Sequence, residues 1–177
     1  MRRNKAVKAV RTEIRRPSWE EFWFLLALMY STRGTCDRLR TACLIVKNNQ
    51  LKGAGYNGSP PGTAHCDDVG HLIIDGHCER TIHGEGNAIL HTSREDLVGA
   101  TAYVISTPCY RCAKALVTAG VKRVNYMEEY SNSRGREQIK QLAKDTGVKF
   151  THCDIEPAAL IARALVILKG PGGALQK

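Results

Sequence analysis

His83-Gly84-Glu85 and Pro108-Cys109-Tyr110-Arg111-Cys112 are the two stretches that decide the fold of this chain. Their separation fits helix, strand and helix, which we expect at residues 84–94, 101–106 and 109–119. Cys109 and Cys112 stand three positions apart at the start of the second helix, so both sulfurs face the same way. One imidazole and two thiolates can fill three of the four tetrahedral positions around zinc and leave the fourth for water. The two stretches therefore predict a metal site formed by His83, Cys109 and Cys112.

Glu85 follows the histidine by two residues and is predicted to move protons beside that water. Zinc lowers the pKa of bound water toward neutrality, and a carboxylate that is not a ligand can take up the proton. His-x-Glu followed by Pro-Cys-x-x-Cys is typical of zinc-dependent nucleobase deaminases, whereas Cys-x-x-Cys alone also occurs in redox pairs and zinc ribbons. A buried histidine with two core cysteines is the alternative, and it leaves the glutamate, the proline and both spacings to coincidence.

The remaining chain alternates predicted strands and helices. Ser18 and Glu21 have the spacing of a capping box, at the start of a helix over residues 19–32. This helix should bury Phe22, Leu25, Leu26 and Met29. Further strands are expected at residues 41–47, 51–56, 121–127 and 148–152, and further helices at 135–146 and 157–168. Residues 57–78 are predicted to form a long functional loop. This order predicts an α/β sandwich whose sheet is largely parallel beyond a first hairpin.

Length and composition are those of one globular domain, which we place at residues 17–177 of the 177-residue chain. No apolar run reaches the ~20 residues of a membrane span, and the N-terminus has no secretory signal. Seven cysteines without such a signal indicate metal sites and free thiols in a reducing compartment. We therefore expect a cytoplasmic protein without membrane partners.

The net charge of +9 is concentrated at the N-terminus, since residues 1–16 hold seven basic residues and one acidic residue. Such a basic extension is either a nucleic-acid arm or a disordered, solvated tail, and we expect the tail. The rest of the chain has a net charge of about +3, which suits a small phosphorylated substrate. An aromatic content of 6% gives little support to a polynucleotide.

Residues 19–152 resemble the deoxycytidylate (dCMP) deaminase family of the cytidine deaminase-like superfamily, including its phage and bacterial members. The most specific stretch is Gly55-Tyr56-Asn57-Gly58-Ser59-Pro60, upstream of His83-Gly84-Glu85-Gly86-Asn87-Ala88-Ile89. Pro108-Cys109-Tyr110-Arg111-Cys112-Ala113-Lys114 and Ala119-Gly120-Val121 complete the match. Free cytidine deaminases and tRNA adenosine deaminases look similar around the zinc but generally lack the first stretch.

The resemblance implies a three-layer α/β/α sandwich with a five-stranded mixed sheet and the conversion of dCMP to dUMP, which supplies thymidylate. It implies that the ligands are His83, Cys109 and Cys112 and that Glu85 is the proton shuttle. Asn57 would bind the sugar and the Gly84 N–H the pyrimidine carbonyl, and Arg111 and Tyr130 would complete the substrate site.

Regulation and assembly are also implied by the resemblance. Many members look like homohexamers that dCTP activates and dTTP inhibits. The effector would bind Asn57, Gly58, Gly62 and Arg38, and Mg²⁺ would accompany it.

A second group of metal-binding residue types lies outside the catalytic stretches, and more than one of its histidines could take part. Its members are Cys36, His65, Cys66, His71, His77 and Cys78. Some family members carry a second zinc in this region, and Cys36, Cys66, His71 and Cys78 would form a closed Cys3His structural site. The alternative is a chance accumulation of loop histidines and small buried cysteines.

Gly84 stands where the family usually has alanine, which should leave more room near the base and favour a 5-substituted cytosine. Arg38, Arg40 and Arg111 can serve one phosphate or several, so a dCTP deaminase remains open beside a dCMP deaminase. A polynucleotide cytosine deaminase is a further alternative. A non-catalytic zinc-binding module would leave Glu85 without a function.

Overall fold

A mixed five-stranded sheet organises the computed structural model, which describes residues 15–130 and 134–175. These residues form two compact units, one of residues 26–154 and one of residues 15–25 with 155–175. The predicted basic extension lies outside the described residues except for Arg15 and Arg16. The placement of one domain at residues 17–177 stays a prediction. Among the described residues, no helix combines the length and apolar character needed to span a bilayer.

The sheet begins with the predicted hairpin of β1 (Ala42–Lys47) and β2 (Gln50–Tyr56). Its turn places Asn48 and Asn49 at φ angles of 53° and 54°. Two consecutive left-handed residues match the twist of a hairpin, and asparagine tolerates that conformation better than most residues. The sequence Asn48-Asn49 therefore sets the pairing of the two strands next to the turn, and an irregularity between Ile45 and Val46 shifts the register beyond it.

The other three strands are β5 (Thr101–Ser106), β6 (Arg123–Glu128) and β7 (Lys149–His152). The strand order is β2-β1-β5-β6-β7, with β5, β6 and β7 parallel and β1 antiparallel to both of its neighbours. The parallel strands are joined through α5 (Tyr110–Thr118) and α6 (Arg136–Thr146). The predicted α/β class and five-stranded mixed sheet are confirmed.

Two predicted segments have more structure than the sequence indicated. Residues 84–94 form not one helix but α3 (Gly84–Leu90) and α4 (Arg94–Leu97). Ser93 Oγ accepts a hydrogen bond from the Asp96 N–H at 3.1 Å and so begins the second helix as its N-cap. The predicted loop 57–78 contains α2 (Cys66–Val69) and a small hairpin of β3 (Ile73–Ile74) and β4 (His77–Cys78).

The remaining helices are α1 (Trp19–Ser31) and α7 (Pro157–Lys169). The Ser18–Glu21 capping box forms as predicted, with hydrogen bonds of 2.6 and 3.2 Å. The prediction that Phe22 and Met29 are buried is wrong, because they are 41% and 59% exposed while Trp23, Phe24 and Ala27 are buried.

The start of α3 lies directly on β2, and Gly55 permits that approach. A Cβ atom on Gly55 would lie 2.2 Å from the Ala88 nitrogen and 2.4 Å from the Gly84 oxygen. The Asn87 side chain also donates to the Tyr56 carbonyl oxygen at 2.8 Å. Because α3 carries Gly84 and Glu85 in its first turn, the absence of a side chain at Gly55 sets the position of that turn.

We expect Gly55→Ala to lower the free energy of unfolding by about 3 kcal/mol, since the added methyl meets backbone rather than a movable side chain. Urea unfolding of the full chain measures the loss. Ala54→Gly at the preceding strand position is the control and should cost about 0.5–1 kcal/mol. Equal losses for the two variants would contradict the proposed role of Gly55.

Candidate metal-dependent active site

Two helix N-termini bring the predicted metal ligands together. His83 is the N-cap of α3 and Cys109 is the N-cap of α5, with Cys112 in the first turn of α5. Backbone hydrogen bonds in both directions between Gly58 and Ile82, at 3.1 and 2.9 Å, hold the chain immediately before His83. Each ligand therefore lies where a regular element begins, rather than at a free loop position.

The three donor atoms have the spacing that a tetrahedral zinc site requires. His83 Nδ1 lies 3.7 Å from Cys109 Sγ and 3.4 Å from Cys112 Sγ, and all three ligand atoms are within 4.8 Å of one another. Usual zinc–sulfur and zinc–nitrogen distances at the tetrahedral angle place such atoms about 3.6 Å apart. The donor set and its geometry therefore fit zinc, with one coordination position left over.

The surroundings of Cys109 favour the thiolate, the form that binds metal. A hydrogen bond with Cys112, together with one from His83, lowers the pKa of Cys109 to about 3. The contact with Cys109 in turn raises the pKa of His83 to about 9. These contacts therefore favour negative charge on Cys109, which is the form that a metal ligand requires.

Glu85 is the buried carboxylate of this site. It is 4% exposed, and burial raises its pKa above the ordinary value of a glutamate. Its side chain hydrogen-bonds the Cys112 side chain and acts electrostatically on His83. A carboxyl group with a raised pKa next to metal ligands is suited to accept and return protons.

A cavity of about 600 Å³ opens in front of these groups, a volume in the usual range of small-molecule sites. It is lined by all four predicted catalytic and ligand residues, together with Asn57 and Tyr130. Four arginines also line it, namely Arg38, Arg80, Arg111 and Arg134. The cavity therefore combines a metal-type site with positive charge.

The Asn57 amide holds the protein backbone in this structure. Its Oδ1 accepts from the Thr41 N–H at 2.9 Å, and its Nδ2 donates to the Leu39 carbonyl oxygen at 2.8 Å. These bonds attach the segment before β1 to the end of β2. The predicted contact of Asn57 with a sugar would use the second lone pair of Oδ1 or the second N–H of Nδ2, or follow a rearrangement.

Gly84 does not widen the cavity in the way the sequence suggested. A Cβ atom at this position would point toward the strands, 3.1 Å from the Gly55 oxygen and 3.2 Å from the Ala42 Cα. The space that an alanine methyl would occupy therefore lies between α3 and the sheet. The inference that Gly84 leaves more room for a 5-substituted base is wrong.

The four arginines of the cavity differ in how closely their guanidinium groups contact other protein groups. Arg38, Arg80 and Arg134 donate to the backbone carbonyls of Gly76, Gly70 and Asp75 at 3.0, 2.9 and 2.8 Å. Arg111 lies 3.7 Å from the Glu79 carboxylate, and its side chain is 84% exposed. Sequence analysis did not identify Arg80 and Arg134 as residues of the site. Arg80 precedes the His83 motif by three residues, whereas Arg134 lies far from both motifs in the sequence.

Of the four predicted effector residues, two line the cavity and two do not. Arg38 and Asn57 are the two that line it. Gly58 forms the bridge to Ile82, and Gly62 stands in an exposed turn with a φ angle of 81°. Only part of that predicted set therefore faces the cavity.

The second predicted cluster is also brought together. Cys36 Sγ lies 3.6 Å from His71 Nδ1, Cys66 Sγ lies 3.5 Å from Cys78 Sγ, and all four ligand atoms are within 4.8 Å of one another. Although burial raises the pKa of Cys78, hydrogen bonds led by the Arg80 N–H lower it to about 7. The atoms have the spacing of a closed tetrahedral Cys3His site.

Comparison with known proteins supports, independently of the geometry, that this region is a zinc-binding site. Residues 17–128 match the family described as the cytidine and deoxycytidylate deaminase zinc-binding region. The chain is 37% identical over 143 residues to ComE operon protein 2 of Bacillus subtilis (strain 168), which covers 80% of this chain and 74% of that protein. It is 34% identical over 125 residues to the deoxycytidylate deaminase of Mycobacterium phage D29, covering 64% of this chain and 98% of the phage protein.

A solved structure has the same fold. The dCMP deaminase of cyanophage S-TIM5, crystallised with dCMP and dUMP, superposes with a TM-score of 0.65 and 26% sequence identity. The match covers 78% of this chain and 99% of the phage chain. Both metal-type clusters and Glu85 fall within residues 17–128, the region that matches the family.

Proposed function

We propose that this chain, which belongs to the cytidine and deoxycytidylate deaminase family, catalyses the zinc-dependent hydrolytic deamination of dCMP to dUMP. The observation that carries the proposal is the buried Glu85 beside the converging ligand atoms of His83, Cys109 and Cys112, in one cavity. A metal-binding module without catalysis would have no use for a buried carboxylate at that place. The proposed function is therefore enzymatic.

The reaction replaces the exocyclic amine of the base with a water oxygen. Zinc, when held by His83, Cys109 and Cys112, would lower the pKa of water toward neutrality. Glu85 takes a proton from the attacking water, gives it to the pyrimidine N3 and carries a second proton to the amine, which leaves as ammonia. The burial that raises the pKa of Glu85 helps it to retain a proton between these steps.

The charges of the cavity favour a monophosphate over a triphosphate. Arg111 has the least engaged guanidinium of the four cavity arginines, because the other three each donate to a backbone carbonyl. A single such group suits one phosphate, and Glu79 beside it adds negative charge that opposes a longer phosphate chain. Tyr130 and the Gly84 N–H remain proposed contacts to the substrate.

The proposal also extends to regulation, assembly and location. By analogy with the family, we infer a cytoplasmic homohexamer that binds dCTP or dTTP, with Mg²⁺, near Arg38, Asn57, Gly58 and Gly62. Support within the structure comes from Arg38 and Asn57, which line the cavity.

We also propose that Cys36, Cys66, His71 and Cys78 hold a second, structural zinc. The spacing of their donor atoms supports it, and so does the burial of Cys36 and Cys66. With four protein ligands, such a site has no position for water and contributes to folding rather than to chemistry.

Glu85→Gln should lower kcat by at least ~10²–10⁴-fold, because the amide cannot shuttle protons. Ammonia release from dCMP measures the rate, and zinc content should equal that of the unsubstituted protein. Glu137→Gln, which changes an exposed carboxylate on α6, is the control and should keep full activity. Near-normal turnover by zinc-loaded Glu85→Gln protein would refute the mechanism.

A substrate panel of dCMP, dCTP, 5-methyl-dCMP, deoxycytidine and single-stranded DNA should give the highest kcat/KM for dCMP. Arg111→Gln should raise the KM for dCMP about tenfold, the loss of roughly one charge-assisted hydrogen bond, and leave deoxycytidine nearly unaffected. Faster turnover of DNA or dCTP than of dCMP would replace the proposed substrate. An equal effect of Arg111→Gln on dCMP and deoxycytidine would remove Arg111 from the phosphate site.

Elemental analysis of the full chain should give about two zinc ions per chain, and Cys66→Ser should reduce this to about one. Melting temperature should fall in parallel, since a structural zinc stabilises the folded state directly. Cys153→Ser is the matched control, a buried cysteine outside both clusters, and should retain two zinc ions. One zinc per chain in the unsubstituted protein would refute the second site.

A further inference from the structure

We propose that Asp37 is a positioning residue for the second metal site: its carboxylate stands 3.1 Å from one ring nitrogen of His71 and thereby aims the other nitrogen of that ring at the three cysteines. The inference rests on the second zinc of the proposed function. Neither the sequence motifs nor the ligand set includes Asp37, and its role follows from which edge of the imidazole it contacts.

The two ring nitrogens of His71 face different partners. Nε2 lies 3.1 Å from Asp37 Oδ1, and Nδ1 lies 3.6 Å from Cys36 Sγ within the cluster. A neutral imidazole carries one N–H, and a carboxylate accepts it in preference to a thiolate-rich cluster that will receive a cation. Asp37 therefore selects the tautomer in which Nδ1 presents its lone pair to the metal position.

The His71 ring is less enclosed than two of the cysteines of the cluster. The Glu79 N–H donates to the Leu72 carbonyl oxygen at 2.8 Å, and Arg80 donates to the Gly70 carbonyl oxygen at 2.9 Å, which fixes the backbone on both sides of His71. Cys36 and Cys66 are buried, whereas the His71 side chain is 27% exposed. The contact with Asp37 restricts the side-chain torsions that this partial exposure leaves open.

Carboxylate partners of this kind recur behind metal-binding histidines, where their loss costs 10–100-fold in metal affinity. Charge alone is a competing explanation, because any carboxylate near a cation favours its binding. The chain offers a close control. Asp37 directly follows Cys36 and Asp67 directly follows Cys66, but Asp67 pairs with Arg40 at 3.4 Å instead of with a ligand.

The test titrates zinc into the full-length chain carrying His83→Ala, which weakens the catalytic site so that the tighter site is the second cluster. A chromophoric chelator competes for the metal. Asp37→Ala in this background should weaken zinc binding 10–100-fold, and Asp67→Ala should change it less than threefold. Equal losses for Asp37→Ala and Asp67→Ala would overturn the positioning role.

A second comparison separates orientation from charge. In a His71→Cys background, whose thiolate needs no tautomer selection, Asp37→Ala should have no more effect than Asp67→Ala, and a full 10–100-fold loss there would overturn the inference. If His71→Cys does not fold, Asp37→Asn in the His83→Ala background takes its place, since the amide oxygen still accepts the His71 N–H without the charge. Asp37→Asn should keep zinc binding within about threefold, and a loss equal to that of Asp37→Ala would overturn the inference. Failure of the second zinc itself is distinguishable, because the unsubstituted chain would then hold about one zinc.

Discussion

The contact of α3 with β2 over Gly55 constrains the rest of the site. With no side chain at Gly55, the backbone of the first turn of α3 rests on the strand, and this sets where His83 and Glu85 stand. The second half of the site is attached to the same sheet, because α5 begins directly after β5 with Cys109 as its N-cap. The ligand geometry is therefore a consequence of how two helices begin on one sheet. Burial of Glu85 follows from the same packing.

The region between β2 and α3 has a different kind of support. It contains few buried apolar residues, and Val69, Leu72, Ile73 and Ile74 are about half exposed. Its order comes instead from polar contacts: the converging Cys and His side chains and the arginines that donate to carbonyls of residues 70–76. A segment with so little core needs cross-links of this type, as small metal-stabilised domains do.

Sequence reasoning predicted most where the signal is local. The spacing of Cys109 and Cys112 and the Ser18–Glu21 capping box depend on neighbours within a few residues, and the structure contains each arrangement. It failed for α1, because a helix with apolar residues on every side has no period that marks its buried face. It also failed for Gly84, since the direction of a missing methyl depends on which strand packs against the helix. Arg80 and Arg134 could not be assigned either, because their approach to the cavity depends on tertiary structure.

In the proposed function, the catalytic residues and three of the four cavity arginines depend on different parts of the chain, whereas Arg111 lies between the ligands in the first turn of α5. Glu85 and the three ligands stand at the ends of regular elements, whose positions the sheet determines. Arg38, Arg80 and Arg134 belong to segments outside helices and strands, and all three are bonded to the loop that carries His71. The conformation of that loop therefore determines how many of the cavity arginines bond to backbone carbonyls and are not available to bind the substrate. Because Cys66, His71 and Cys78 belong to the same segment, and Cys36 and Cys78 also line the cavity, zinc held by the Cys3His cluster would bear on the electrostatics of the cavity.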